Sequence, residues 1–228
     1  MAQRETWERE YRKPLLLTKN PEPQNDLKRF LKFLRKEAEL GIDGLKVLDI
    51  GCGTGRNANF LAQQGCEVSA FDISSTAVNL GRLRADEVLL EVDYKVHSMG
   101  EPWPYADQVF DVLLDVMASN SLRTPERKIY LREAHRVLKP GGYFFVKALC
   151  KDGDKNAKNL LSLHPGPEED TYVMPEMDLI ERVFSRQDFE KFYSQLFHIV
   201  SLDKKTNYNH FGDQTYKRNY WIAYLQKK

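Results

Sequence analysis

The stretch LDIGCGTGRNANFLAQQG, residues 48–65, places three glycines in five positions, directly after an apolar run and directly before a segment of helical pattern. Glycines at 51, 53 and 55 read GxGxG, which is not the GxGxxG of a dinucleotide fold, and the chain has no GxxxxGK[ST] phosphate loop. Glycines after a buried strand let the backbone turn tightly and let a ligand approach without side-chain obstruction. The helix expected from about Arg56 aims its first N–H groups at the same spot, favouring a carboxylate or other negative group there. A second strand ending in AFDIS then sets Asp72 at a carboxyl end about twenty positions after Gly51, where an acid suits the hydroxyls of a ribose. Loop, helix and spaced acid together describe a nucleoside site with an amino-acid-like or anionic end.

Outward from that stretch the pattern alternates. Strands read at KVLDI (46–50), EVSAF (67–71), DYKVH (93–97), DVLLDV (111–116) and GYFFVKAL (142–149), with helical segments after the first, second and fourth. Strands separated by helices need crossover connections, so the fold is read as α/β, with a mostly parallel sheet covered on both faces. Before the first strand, NDLKRFLKFLRKEAEL puts Leu27, Phe30, Leu31, Leu34 and Ala38 on one helical face and Lys28, Arg29, Lys32, Arg35 and Lys36 largely elsewhere, with Asn25 or Asp26 as the N-cap. After residue 150 the pattern breaks into a long stretch rich in glycine, proline and charge, expected to be a lid or substrate loop. A helix over 186–195, a strand over 197–202 and a final strand over 220–226 close the chain, the last two set antiparallel by a hairpin-like excursion between them. The 228 residues are read as one domain, 1–228, with an N-terminal helical or lid segment at 1–44 and a substrate-side insertion at 150–184.

Composition narrows the functional classes. Lys plus Arg number 34 against 33 Asp plus Glu, a formal net charge of +1, which weighs against nucleic acid as the main ligand. Three cysteines form no CxxC pair and fit a reduced, intracellular chain rather than a disulfide framework or zinc site. The charged start MAQRETWEREYRKP and the absence of any run near the ~18 apolar residues of a membrane span lead to the expectation of a cytoplasmic protein without a membrane contact. The five histidines show no metal-ligand spacing, so no metal is expected.

These residues resemble the class I methyltransferases that use S-adenosylmethionine. VLDIGCGTG is similar to that family's first motif, VSAFDIS to its second, FDVLLDV to its fourth, and YLREAHRVLKPGGYFFV to its helix and fifth strand. The GRN after the glycines also resembles the tellurite-resistance and thiopurine-type branch. The resemblance implies a three-layer, doubly wound, Rossmann-like sheet of seven strands with an antiparallel last strand. It implies S-adenosylmethionine as cofactor and S-adenosylhomocysteine as product. Asp49 and the backbone of Gly51, Cys52, Gly53 and Gly55 would lie near the amino-acid end, Asp72 on the ribose and Ile73 against the adenine, with Asn57 and Val116 also lining the cofactor. Where such proteins carry an acid for the adenine amino group, this chain has Ser98 or Met99.

Methyl transfer from a sulfonium needs nucleophile, carbon and sulfur nearly in line, and positioning and desolvation carry most of the rate, so no particular side chain is obligatory. Asp115, at the end of the fourth strand, reads either as the group that binds or deprotonates the acceptor or as the cap of the following turn. DVMASNSL lacks the [DN]PP[YFW] motif of exocyclic-amine methylation, and neither Cys52 nor Cys150 sits in a nucleophile motif. Substrate candidates are Trp7 and Tyr11, at i and i+4 on one helical face, and Tyr172, Arg182 and Arg218, with Glu181 beside them. The leading expectation is methylation of a small molecule at N, O or S. The alternatives are RNA or protein methylation, suggested by the basic face over 27–36, and a non-catalytic binder of S-adenosylmethionine. Oligomeric state leaves no signal in the sequence.

Overall fold

The computed structural model describes residues 3–14, 22–174, 176–211 and 214–228, with the side chains of 209–214 set aside. Parts of two expected segments, 1–2 and 15–21 in the N-terminal one and 175 in the insertion, lie outside the described residues, as do 212–213 at the tip of the C-terminal excursion. In chain order the elements are α1 (Arg4–Arg12), α2 (Asn25–Lys36), β1 (Lys46–Ile50), α3 (Arg56–Gln63), β2 (Glu67–Asp72), α4 (Ser75–Asp86), β3 (Val92–Val96), β4 (Phe110–Val116), α5 (Thr124–Val137), β5 (Leu138–Leu149), α6 (Lys155–Leu163), β6 (Thr171–Met174), β7 (Leu179–Arg182), α7 (Arg186–Tyr193), β8 (Phe197–Phe211) and β9 (Gln214–Lys227).

β1 is the strand on which the sheet is built. Its four residues after Lys46 are all buried, and it pairs parallel with β2 on one side and β4 on the other. Side chains of a strand alternate between faces, so four buried in succession require cover on both, which is why the run is continuously apolar. The main sheet has the order β3-β2-β1-β4-β5-β9-β8, six strands parallel and β9 antiparallel between β5 and β8. The strand order reverses between β1 and β4, and a crevice outside the carboxyl ends of strands at such a switch point is where open α/β sheets take ligands.

Neighbouring residues of β5 show how the two faces are filled. Phe145 meets Phe30 of α2 with ring centres 5.2 Å apart, whereas Phe144 meets Phe197 on the opposite face at 5.6 Å. Leu27, Phe30, Leu31 and Leu34 are buried as the helical spacing requires. Burial of each such side chain is worth about 1.5–3 kcal/mol.

The N-cap expectation for α2 is corrected. Gln24 holds the capping position without a side-chain bond, and Asp26 is turned inward, 3.0 Å from Lys147 Nζ of β5 and in contact with Lys205 Nζ of β8. A lysine as buried as Lys147 is costly without a counter-charge, and the first turn of the adjoining helix supplies it.

The C-terminal region is more regular than its sequence pattern. β8 and β9 stay paired from Phe197 with Lys227 to Phe211 with Gln214, while β9 meets β5 only over residues 220–226. The remainder projects as a ribbon past Leu149, at the end of the sheet where the crevice lies. The hairpin-like excursion expected between the last two strands is thus the continuation of those strands, antiparallel as expected. The insertion likewise contains a helix, α6, and a β6–β7 hairpin. It is tied to β9 by Asp154, which caps α6 through Ala157 N (2.8 Å) and accepts from Asn219 N (2.6 Å). Among the described residues no helix is long and apolar enough to cross a membrane.

Candidate active site

The floor of the crevice is the glycine loop. Gly53 has φ +55°, and a Cβ there would lie 2.8 Å from the Tyr11 hydroxyl, so both backbone and space demand glycine. Gly51 is closed in by Ala118 and Met99. Gly55 (φ +80°) has the Tyr94 hydroxyl and Gly81 where a Cβ would stand, so its lack of a side chain serves the packing of α3 against α4 and β3. Asn57 is turned away, accepting from Gln24 N at 3.2 Å. Cys52 is buried, and burial pushes its thiol well above the ordinary range, which suits no nucleophile.

Two carboxylates stand at the ends of β1 and β2. Asp72 accepts from Gly53 N and Ser74 N, each at 2.9 Å, so the acid itself fixes the glycine loop. Burial raises it to about 6 against the opposing pull of those N–H groups. Asp49 is 1% exposed, and its Oδ2 has no partner. Burial lifts Asp49 to about 7, with the Arg56 guanidinium pulling the other way. A buried carboxylate oxygen left unpaired is costly unless a cation or donor arrives.

α1 roofs the crevice. Tyr11 lies on Gly53, and Trp7 stands beside it with ring centres 6.2 Å apart. Between them Glu8 caps the start of α4: it accepts from Ser74 Oγ at 2.6 Å, from Ser75 Oγ at 3.4 Å and from Thr76 Oγ1. Burial resists the charge, but the Ser74 and Thr76 donors prevail and hold Glu8 near about 2. At the other end of α1's contacts, Gln3 donates to Ser121 O (2.8 Å) and Ile180 O (2.7 Å) and accepts from Ile180 N (2.6 Å). One short helix therefore touches the nucleoside side, the loop after β4 and the insertion.

What remains open beneath α1 is a cavity of about 30 Å³. Ile73, Ser98 and Met99 line one side, Ala118, Ser121 and Leu122 the other, with Gln3 and Trp7 above. Ser98 is buried, and its Oγ accepts from Gly100 N at 3.2 Å. Val116 packs against the core at the end of β4, and Met117 follows it with φ +70°, a strained turn at the crevice edge. Ser121 is 6% exposed, and its Oγ has no partner.

Asp115 is the turn cap and not a group facing an acceptor. It is fully buried, accepts from Ala118 N (2.9 Å) and Ser119 N (3.3 Å) through Oδ1, and takes the Tyr130 hydroxyl at 2.6 Å on Oδ2. Two of the expected substrate residues are also engaged elsewhere. Tyr172 donates to Glu181 at 2.6 Å and accepts from Arg218 at 3.0 Å, a buried polar trio that joins the insertion hairpin to β9. Arg182 is different. It is half-buried with Nε unpartnered and its guanidinium 4.7 Å over the Phe184 ring.

Fold and crevice define a Rossmann-like α/β domain with a nucleoside cleft at its switch point. Residues 47–142 match the family model described as a methyltransferase domain. The chain is 34% identical over 116 residues to a ubiquinone biosynthesis O-methyltransferase of Ruegeria pomeroyi, covering 51% of this chain and 44% of that one. It is also 34% identical over 109 residues to a fatty-acid O-methyltransferase of Mycolicibacterium smegmatis, covering 47% and 38%. The chain thus spans less than half the length of these curated relatives. Among solved structures, an S-adenosylmethionine-dependent methyltransferase of Methanosarcina mazei shares the fold at TM-score 0.75 and 22% identity, over 90% of this chain and 98% of that one. Residues 47–142 thus form a methyltransferase domain, and the chain as a whole has the fold of the S-adenosylmethionine-dependent methyltransferases.

The crevice fits that cofactor on its own evidence. Asp49 has an orphaned, buried oxygen, the Gly51–Gly53 backbone is bare of side chains where Ala118, Met99 and Tyr11 close on it, and Asp72 is fixed beside it. Sequence reading missed three contributors: Glu8, Gln3 and Arg56. Arg56 alone carried a signal, since a cation in the first turn of a helix opposes the macrodipole and so marks a place for negative charge.

Proposed function

We propose that the chain binds S-adenosylmethionine between the glycine loop and α1 and methylates a small molecule at N, O or S. The cofactor, when bound, supplies an electrophilic methyl group on a sulfonium. The observation that carries the proposal is Asp49, a buried carboxylate with a free oxygen, two residues before Gly51 and within reach of the Arg56 charge. In this proposal Asp49 holds the ammonium of the amino-acid end, and Asp72 the ribose. Ile73, Ser98 and Met99 enclose the adenine, while Ala118, Ser121, Leu122 and Gln3 face the acceptor. Ligand pockets run to about 300–1,000 Å³, far above the 30 Å³ present, so α1 serves as a lid that lifts for entry and closes to exclude water. The 150–184 segment is the acceptor's wall, reached through Gln3. The small-molecule reading draws support from relatives named as a ubiquinone biosynthesis O-methyltransferase and a fatty-acid O-methyltransferase. A cytoplasmic place fits the three buried, unpaired cysteines.

Incubation with methyl-labelled cofactor and a fractionated cell extract tests the proposal. Label in the small-molecule fraction is expected; label confined to RNA or protein would contradict it.

A further inference from the structure

The eight residues that line the acceptor and adenine ends of the cavity include none that titrates near neutral pH. Asp115, the acid placed to serve as a base, is sealed beneath the loop with both oxygens taken. An acceptor that must lose a proton to react finds no base there. The wall beside Leu122 carries, instead, an excess of positive charge. Arg123 and Arg127 share Glu168 at 3.2 and 2.7 Å, and Arg127 also donates to Leu122 O. Among the described residues Arg182 pairs with no carboxylate: its Nε is buried without a partner, and the charge it lies near is that of Arg127. Arg182 is two residues along β7 from Ile180, on the same face of the strand, and Ile180 shares Gln3 with Ser121. Ser121 Oγ, the second buried donor without an acceptor, lines the cavity itself. Ser121 Oγ lies on a wall whose other surfaces are Trp7, Met99 and Leu122, and Arg182 stands near Arg127, which holds Leu122 O; these two unsatisfied donors, one of them cationic, describe a receptor for an anion on an apolar body.

We propose that the acceptor is an amphipathic carboxylic acid, bound as its carboxylate by Ser121 and Arg182 and converted to the methyl ester. The proposal rests on the methyl-transfer reading above. A carboxylate oxygen forms the bond to the methyl carbon as the carbon–sulfur bond breaks, and the bonding pair leaves with sulfur. No proton moves, so no base is required. An anion and a sulfonium become two neutral products, a charge annihilation that a dry, low-dielectric pocket favours.

The probes are 4-butylbenzoate, 4-butylphenol and 4-butylaniline, alike in body and different in acceptor. The whole chain is given methyl-labelled cofactor at saturation, and hydroxide-labile label, released as methanol, is counted as ester. Titration of 4-butylbenzoate into the chain loaded with S-adenosylhomocysteine gives a readout independent of turnover. The expected result is ester from the benzoate only, with kcat flat between pH 6 and 9. Ser121→Ala and Arg182→Gln are each expected to weaken benzoate binding at least tenfold while leaving S-adenosylhomocysteine binding unchanged, and Arg182→Lys to recover part of the loss. Bound S-adenosylhomocysteine with label only in the phenol or aniline, with label in no probe, or with benzoate binding indifferent to both variants would overturn the proposal. Absence of S-adenosylhomocysteine binding by the folded chain would bring down the methyl-transfer reading as well.

Discussion

Asp49→Asn is expected to stabilise the free protein while weakening cofactor binding, because the same buried charge that burdens the fold serves the ligand. Burial raises Asp49 from 3.8 to about 7. Each unit corresponds to about 1.36 kcal/mol, so three units place the cost of the buried charge at about 4 kcal/mol as an upper bound. The value of about 7 already includes the pull of the Ala58 N–H, but the amide of the variant puts a buried N–H donor where Oδ2 has no partner, a cost of roughly 1–3 kcal/mol, which leaves a net gain of about 2 kcal/mol. At about 2–4 °C per kcal/mol for a chain of this size, Tm rises by roughly 4–8 °C. The pH dependence fixes the sign. A carboxyl raised in the folded state carries no penalty below its unfolded value of 3.8, where both states are protonated, and the full penalty above about 7. The gap in Tm between variant and wild type should therefore be large at pH 8 and less than half as large at pH 5. Thermal unfolding followed by circular dichroism measures it, and titration with S-adenosylhomocysteine should show affinity reduced at least tenfold. A variant that is less stable than wild type at pH 8, or that binds S-adenosylhomocysteine undiminished, would refute the reasoning.

Other perturbations separate the roles of neighbouring residues. Gly53→Ala combines a left-handed backbone with a Cβ 2.8 Å from the Tyr11 hydroxyl and should cost about 1–2 kcal/mol in chemical denaturation, with part returned in a Tyr11→Phe background. Tyr172→Phe breaks the buried trio with Glu181 and Arg218 and should destabilise by roughly 1–3 kcal/mol, with cofactor affinity unchanged in calorimetry. Asp26→Ala leaves Lys147 buried without its counter-ion and should cost about 3–5 kcal/mol, a loss that a second change of Lys147 to Met recovers in large part.

The central half of the molecule was legible because its signals are local. Apolar β1, the glycines that follow, and the distance to Asp72 are spacing facts, and spacing survives in a sequence. The same locality explains the apolar face of α2, with Leu27, Phe30, Leu31 and Leu34 each buried. Where partners come from afar the sequence is silent. Asp154 holds the insertion by a bond to Asn219, and Tyr172 by one to Arg218, so α6 and the β6–β7 hairpin owe their place to tertiary polar contacts rather than to any period. Asp115 shows the limit within a correctly read element. Its position at the end of β4 was plain, but only the fold reveals Tyr130 and the Ala118 and Ser119 N–H groups closing around it. Trp7 and Tyr11 stood out by type and spacing, whereas Glu8 between them gains its role from the α4 terminus sixty-six residues away in Ser74.

The central claim is that this crevice is a cofactor site closed by α1, and calorimetric titration of S-adenosylhomocysteine into the folded chain tests it most directly. The account predicts saturable binding of one molecule per chain, tightening as pH rises toward and through 7, the range in which Asp49 takes up its charge. A folded chain that gives no binding heat at any pH between 6 and 9, and no shift in Tm with the ligand present, would contradict it.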